Sequence, residues 1–210
     1  YDFENGRQKI YQRTMIRLSR IEGDKLVRES FSDDEQLRFD KAHSDFKKML
    51  QHFRVVNDRA LSPEIMKRHI DFIRHETQQD YCVVIIDSLH KLPFKDFSER
   101  RTGIDAWLRQ FESIRDEHKV SFLIISELTR GDRGSYEETP HMGIFKGSGD
   151  IEYSADNALV LYPGTDAQNI TSISDRTANL WLVASREHSP GLVAAYQLEY
   201  PYWGFKEQEQ

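Results

Sequence analysis

Tyr81-Cys82-Val83-Val84-Ile85-Ile86-Asp87-Ser88 is the stretch from which the rest of the chain can be read. An unbroken apolar run of this length, rich in Val and Ile, predicts a strand buried on both faces, as in a parallel sheet. Asp87 would close that strand at its carboxyl end, where open α/β sheets place their ligands. Two roles suit a carboxylate there. It can anchor Mg²⁺, directly or through water, beside nucleotide phosphates, or it can cap the following turn. Downstream, Ile104, Trp107, Leu108, Phe111 and Ile114 recur at helical spacing, and residues 120–126 form a second apolar run. Strand, helix and strand in this order predict a βαβ unit with a right-handed crossover.

Upstream, residues 7–21 place Ile10, Met15, Ile16, Leu18 and Ile21 among Arg, Gln and Lys, the pattern of an amphipathic helix. Ser32-Asp33-Asp34-Glu35 reads as a second helix start, with acidic residues at the positive end of the helix dipole. Residues 53–56 are a short strand candidate. Ser62-Pro63-Glu64 opens a third helix, with Ser as N-cap and Pro at the first helical position. Its buried face would carry Ile65, Met66, Ile70 and Ile73, with His69 as a packed neighbour. Beyond the βαβ unit the pattern changes. Residues 157–162, 179–185 and 193–200 are strand candidates, and Ser189-Pro190-Gly191 suits a hairpin turn. The expectation is a single domain over 1–210, a parallel α/β half followed by an antiparallel extension.

Length permits one sizeable core. With 30% charged residues and a net charge of −6, the chain is no generic polyanion binder, so nucleic-acid contact would need a local basic patch or several copies around a channel. No apolar run approaches the roughly 20 residues of a membrane helix. The lone Cys82 excludes a disulfide framework and fits a reducing cytoplasm. None of the eight histidines has zinc-ligand spacing with it. Five of eleven glycines (Gly131, Gly134, Gly143, Gly147 and Gly149) share one segment with Arg130, Arg133 and Lys146. Glycines let backbone N–H groups approach a phosphate closely and the basic side chains add charge; the alternative is an ordinary surface loop.

Together these pieces resemble the RecA-like motor domain of DnaB-type replicative helicases, with KaiC-like ATPases as close relatives. Val83 to Asp87 is similar to the Walker B strand. Ile124-Ile125-Ser126-Glu127-Leu128-Thr129-Arg130 resembles the strand that ends in a γ-phosphate-sensing residue. Phe145-Lys146-Gly147-Ser148-Gly149-Asp150-Ile151-Glu152, with Ala155-Asp156, resembles the loop that faces the central channel and contacts DNA. Ala184-Ser185-Arg186 through Gly191 is similar to a hairpin that reaches a neighbouring subunit's nucleotide, and Asp2-Phe3-Glu4-Asn5 to the strand end whose Glu orients the attacking water.

The resemblance implies an α/β fold, a RecA-like P-loop NTPase core whose mostly parallel sheet is flanked by helices. It implies ATP and Mg²⁺ as cofactors, with Glu4, Glu127 and Arg186 catalytic and Asp87, Ser88 and Arg130 at the nucleotide. Asp87 would hold Mg²⁺ through water, while Arg133, Lys146, Gly147 and Gly149 would contact DNA. The implied partners are single-stranded DNA, further copies in a hexameric ring and other replication proteins, with no membrane. The departures also carry weight. The phosphate loop Gly-x-x-x-x-Gly-Lys-Ser/Thr is absent, as expected of a chain that starts after it, so these 210 residues alone should bind ATP poorly. Glu127 stands where the family has Gln, and KaiC-like relatives carry Glu there. Ala184 replaces a lysine, and Gly147 and Ser154 replace acidic residues. A KaiC-like or recombinase-like regulatory ATPase and a non-catalytic assembly module are therefore the alternatives. Arg186 has its own alternative, as the partner of an acidic residue on its own surface.

Overall fold

The computed structural model describes residues 1–94, 100–128, 141–145, 150–164, 172 and 176–208. In chain order the elements are α1 Gly6–Ser19, α2 Gly23–Arg28, α3 Asp33–His52, α4 Pro63–Thr77, β1 Val83–Asp87, α5 Arg100–His118, β2 Ser121–Ile125, α6 Asp150–Ser154, β3 Asn157–Pro163, β4 Thr177–Ser185, β5 Gly191–Glu199 and β6 Gly204–Glu207. They fall into two compact units. One comprises Tyr1–Arg7 with His52–Ala155, the other Gln8–Gln51 with Asp156–Gln210.

The first unit is built on β1 and β2, which pair in parallel from Val83↔Ser121 to Asp87↔Ile125, as the βαβ reading requires. Tyr1 to Phe3 run parallel along β1's other edge. The Tyr1 amino group donates to Ile85 O (2.7 Å), Asp87 N–H to Tyr1 O (2.8 Å) and Phe3 N–H to Asp87 O (3.0 Å). Residues 53–56, expected as a strand, are not one. Val56 contributes a single carbonyl to the Asp2 N–H, and one bond makes no ladder.

α4 begins as its sequence dictates: Pro63 opens the helix and the Ser62 hydroxyl accepts the Ile65 N–H at 3.3 Å. Met66 and Ile70 from α4 meet Ile104, Phe111 and Ile114 from α5 over Val84 and Ile86, forming the unit's core. Phe94 lies so close to α5 that a Cβ on Gly103 would collide with its ring, so a larger residue there would require the ring to move. His69 is a packed neighbour, stacked on Tyr1 with centroids 6.0 Å apart. The expectation of a strand buried on both faces is corrected. Val84 and Ile86 are buried, but Val83 is 52% and Ile85 41% exposed, with Leu123 and Ile125 exposed beside them. The physical reason is that α4 and α5 cover only one side of the sheet.

The second unit holds the antiparallel sheet β3-β4-β5-β6, the expected C-terminal extension. Its helix α3 starts with a capping box: Ser32 Oγ accepts the Glu35 N–H at 3.3 Å, and Glu35 returns a carboxylate oxygen to the Ser32 N–H at 3.0 Å. The Lys25 ammonium, 2.6 Å away, is the main reason the half-buried Glu35 carboxyl falls to about 2. Tyr11 meets Phe46 edge-on at 5.2 Å. Arg13 lies over the half-exposed Trp203 at 4.2 Å, and Arg20 pairs with Glu199 at 2.8 Å. Two short helices, α2 and α6, and the last strand, β6, were not legible in the sequence pattern. Among the described residues no helix is long and apolar enough to cross a membrane.

Candidate active site

The acidic groups singled out from sequence gather at the carboxyl end of the first unit's sheet. Asp87 ends β1, as the apolar run predicts, and Ser88 follows it, buried, its hydroxyl without a hydrogen-bond partner among the described residues. Because the Phe3 N–H is bonded to the Asp87 carbonyl, Glu4 leaves the neighbouring strand at the same level. On the other side the register Asp87↔Ile125 carries Glu127 to the same end, two residues past β2. Glu4, Asp87, Ser88 and Glu127 are thus brought together by three adjacent parallel segments.

Glu4 is fixed by Asp2, a residue not anticipated from sequence. Asp2 is 4% exposed, and its Oδ1 accepts the backbone N–H groups of Glu4 (2.9 Å), Asn5 (2.6 Å) and Gly6 (3.2 Å). Burial pushes the Asp2 carboxyl up, but the N–H donors of Asn5, Gly6 and Glu4 outweigh it and hold the group below the usual carboxylate range. The turn needs glycine at its end, since Gly6 has φ +76°. A signal was present in Asp2-Phe3-Glu4-Asn5-Gly6: an Asp followed by Asn-Gly is the chemistry of a side-chain-capped turn. The Glu4 carboxylate points toward Lys91, Oε1 to Nζ 3.9 Å, with both side chains about half exposed.

Glu127 is anchored through its backbone. Its N–H donates to His90 Nδ1 at 3.3 Å, and His90 is 4% exposed in the single 3-10 turn Leu89–Lys91 that follows Ser88. One residue on, Leu128 bridges Phe145 in antiparallel fashion, which ties the end of β2 to the segment leading into α6. Arg130, Arg133, Lys146, Gly147 and Gly149 lie outside the described residues.

Arg186 belongs to the second unit, in the turn that joins β4 to β5. Its backbone N–H donates to Asp156 O at 3.0 Å, and its Nε is 3.3 Å from Asp156 Oδ1, with the two side chains 61% and 56% exposed. The surface pairing that the sequence leaves open therefore exists, with Asp156 as partner. An ion pair this exposed is worth about 0–1 kcal/mol. The turn itself is held by Ser185, whose Oγ accepts the N–H groups of Glu187 (3.1 Å) and His188 (3.0 Å).

The residues present fit Mg²⁺ and a nucleotide in a limited way. Asp87 offers hard carboxylate oxygen and Ser88 a buried hydroxyl in need of a partner. Among the described residues no three His, Cys, Asp or Glu side chains converge as a metal set. A single carboxylate anchor, with water and phosphate oxygens completing the shell, is how proteins commonly hold Mg²⁺.

A parallel βαβ sheet with acidic tips in one unit and an antiparallel sheet in the other suit a RecA-like α/β fold, and the chain belongs to the DnaB-like helicase C-terminal domain family, whose model matches residues 1–200. It is 25% identical over 153 residues to a probable plasmid replicative DNA helicase of Chlamydia trachomatis, and a second such sequence, from serovar L2, gives the same figure. These alignments cover 73% of this chain and 33% of each relative, so the chain spans about a third of the length of the curated relatives it matches. Among solved structures, a DnaB-like replicative helicase described with its primase interactions superposes with a TM-score of 0.85 at 19% identity, covering 99% of this chain and 49% of that one. A second solved structure, an ATPase domain, gives 0.84 at 18% identity, covering 99% of this chain and 73% of that one. The family and fold expected from the resemblance are borne out.

Proposed function

We propose that this chain is the motor domain of an ATP-dependent, DnaB-type helicase that moves on single-stranded DNA as part of a homo-oligomeric ring. One observation carries the reading. Glu4 and Asp87 emerge side by side from hydrogen-bonded parallel strands, the Phe3 N–H lying 3.0 Å from the Asp87 carbonyl, at the end of the sheet where α/β proteins bind nucleotides.

In this reading Asp87, with Ser88 beside it, would hold Mg²⁺ through water, and the ion supplies charge neutralisation to the triphosphate when bound. Glu4 orients the attacking water and takes its proton, its backbone already fixed by Asp2. Glu127 reads the γ-phosphate end. Its carboxylate suits that place only when protonated or turned to a cation, because two anions repel. Arg186 acts on the nucleotide of the neighbouring subunit, neutralising charge on the transferred phosphoryl group, a role worth roughly 10³–10⁵ in rate. Arg130 would lie near the phosphates, and Arg133, Lys146, Gly147 and Gly149 would follow the DNA backbone with little base readout. Hydrolysis then depends on assembly, since the acid groups and the guanidinium come from different copies.

The test is ATP hydrolysis by the full-length protein with and without single-stranded DNA, together with displacement of a strand from a forked duplex. DNA-stimulated turnover and displacement are expected. Turnover without displacement would move the protein to a regulatory ATPase, and neither would leave an assembly module.

A further inference from the structure

We propose that His90 is a positioning residue for hydrolysis, the strut that sets Glu127 against Asp87. This rests on the motor reading, because it assigns a residue to that same site. The chain leaves β1 at Asp87 and turns at once through Ser88 into the 3-10 turn Leu89–Lys91. Leu89 is fully buried in the core beneath it, so the turn has a fixed seat. From that seat His90, 4% exposed, reaches across to the strand that follows α5 and accepts the Glu127 N–H on Nδ1 at 3.3 Å. A backbone N–H can only donate, so Nδ1 carries the lone pair and the ring proton is on Nε2.

The position of this bond matters more than its strength. The β1–β2 ladder ends at Asp87↔Ile125, two residues short of Glu127. The His90 ring supplies the next rung. The same turn offers Lys91 Nζ, 3.9 Å from Glu4 Oε1. One three-residue turn thus touches the acid from the strand before β1 and the backbone of the acid after β2, while Asp87 stands at its own root. A displacement of about 1 Å in such a group is enough to cost on the order of a hundredfold in rate without weakening substrate binding.

Two substitutions in the full-length protein separate this role from bulk packing. His90→Asn keeps an acceptor oxygen at the place of Nδ1, whereas His90→Leu fills similar space with none. His90→Leu is expected to lower kcat for ATP by about tenfold or more with KM changed less than about twofold, and His90→Asn to restore kcat to within about threefold of wild type. Hydrogen exchange at the Glu127 amide gives a second readout that needs no activity, with protection in wild type and His90→Asn and loss in His90→Leu. Equal protection in His90→Leu overturns the strut, as does a His90→Asn protein as impaired as His90→Leu. If the wild-type protein hydrolyses no ATP, the motor reading fails and the proposed role falls with it, while the exchange pattern still reports whether the His90 bond exists.

Discussion

The carboxyl-terminal tips of β1 and β2 and the turn between β4 and β5 both present charged groups, but they hold them in opposite ways. At the tips, Glu4 follows a segment hydrogen-bonded to β1, a buried Asp2 gathers the backbone N–H groups around it, and a buried His90 holds the Glu127 amide. In the β4–β5 turn the backbone is equally well held, by Ser185 and by the Asp156 carbonyl, yet the Arg186 side chain stands 61% exposed beside one exposed carboxylate. Groups that act on a ligand of their own copy can be fixed in advance by the fold. In the proposed reading Arg186 would serve another copy's ligand, and a weak surface pair would cost little to leave.

The comparison can be broken most severely at the exposed side. Arg186→Ala in the full-length protein should cut ATP turnover by roughly 10³–10⁵ while nucleotide binding stays nearly intact. Normal turnover in a single-turnover assay would remove the trans role. On the fixed side, Glu4→Gln should lower kcat by about 10²–10⁴ with little change in melting temperature, since the amide keeps the shape and loses the proton acceptor.

Asp2→Ala tests whether the fixed side is fixed by its cap. It should cost about 0.5–2 kcal/mol, as losing a capping carboxylate does, and reduce turnover as well. The sign of its pH dependence follows from the lowered Asp2 pKa. A carboxyl whose folded value lies below its unfolded value stabilises fully above the ordinary range near about pH 4, and that share fades as pH falls through the folded value. Melting curves of wild type and variant should therefore converge in acid; a gap that widens would contradict the cap. The smallest effect is expected for Asp156→Ala, within about 0.5 kcal/mol in stability and with turnover retained, because the pair it removes is solvated on both sides.

Much of this was legible because a few local patterns admit one outcome. The run from Val83 to Asp87 gave a strand with its carboxylate at the ligand end, Ser62-Pro63 gave a helix start, and the spacing of Ile104 to Ile114 gave the crossover helix. What escaped notice depends on tertiary partners. The exposure of Val83 and Ile85 is set by which faces the helices cover, and no periodicity within five residues reports that. β6 is four residues long and, among the described residues, paired only with β5, so it carries almost no pattern of its own. Asp2 and His90 act through backbone amides, to which residue type gives only faint clues. The Asp156 partner of Arg186 comes from a strand start thirty positions earlier, which no local pattern around Arg186 reports.

The half-exposed side of β1 and β2 has a practical meaning at the bench. Val83, Ile85, Leu123 and Ile125 form an oily patch on paired strands, 41–52% open to water, on a polypeptide of this length. Purified alone, it should take up hydrophobic dyes and clump as concentration rises. Mild detergent or glycerol during handling, and the substitution Leu123→Asp, are the simplest remedies.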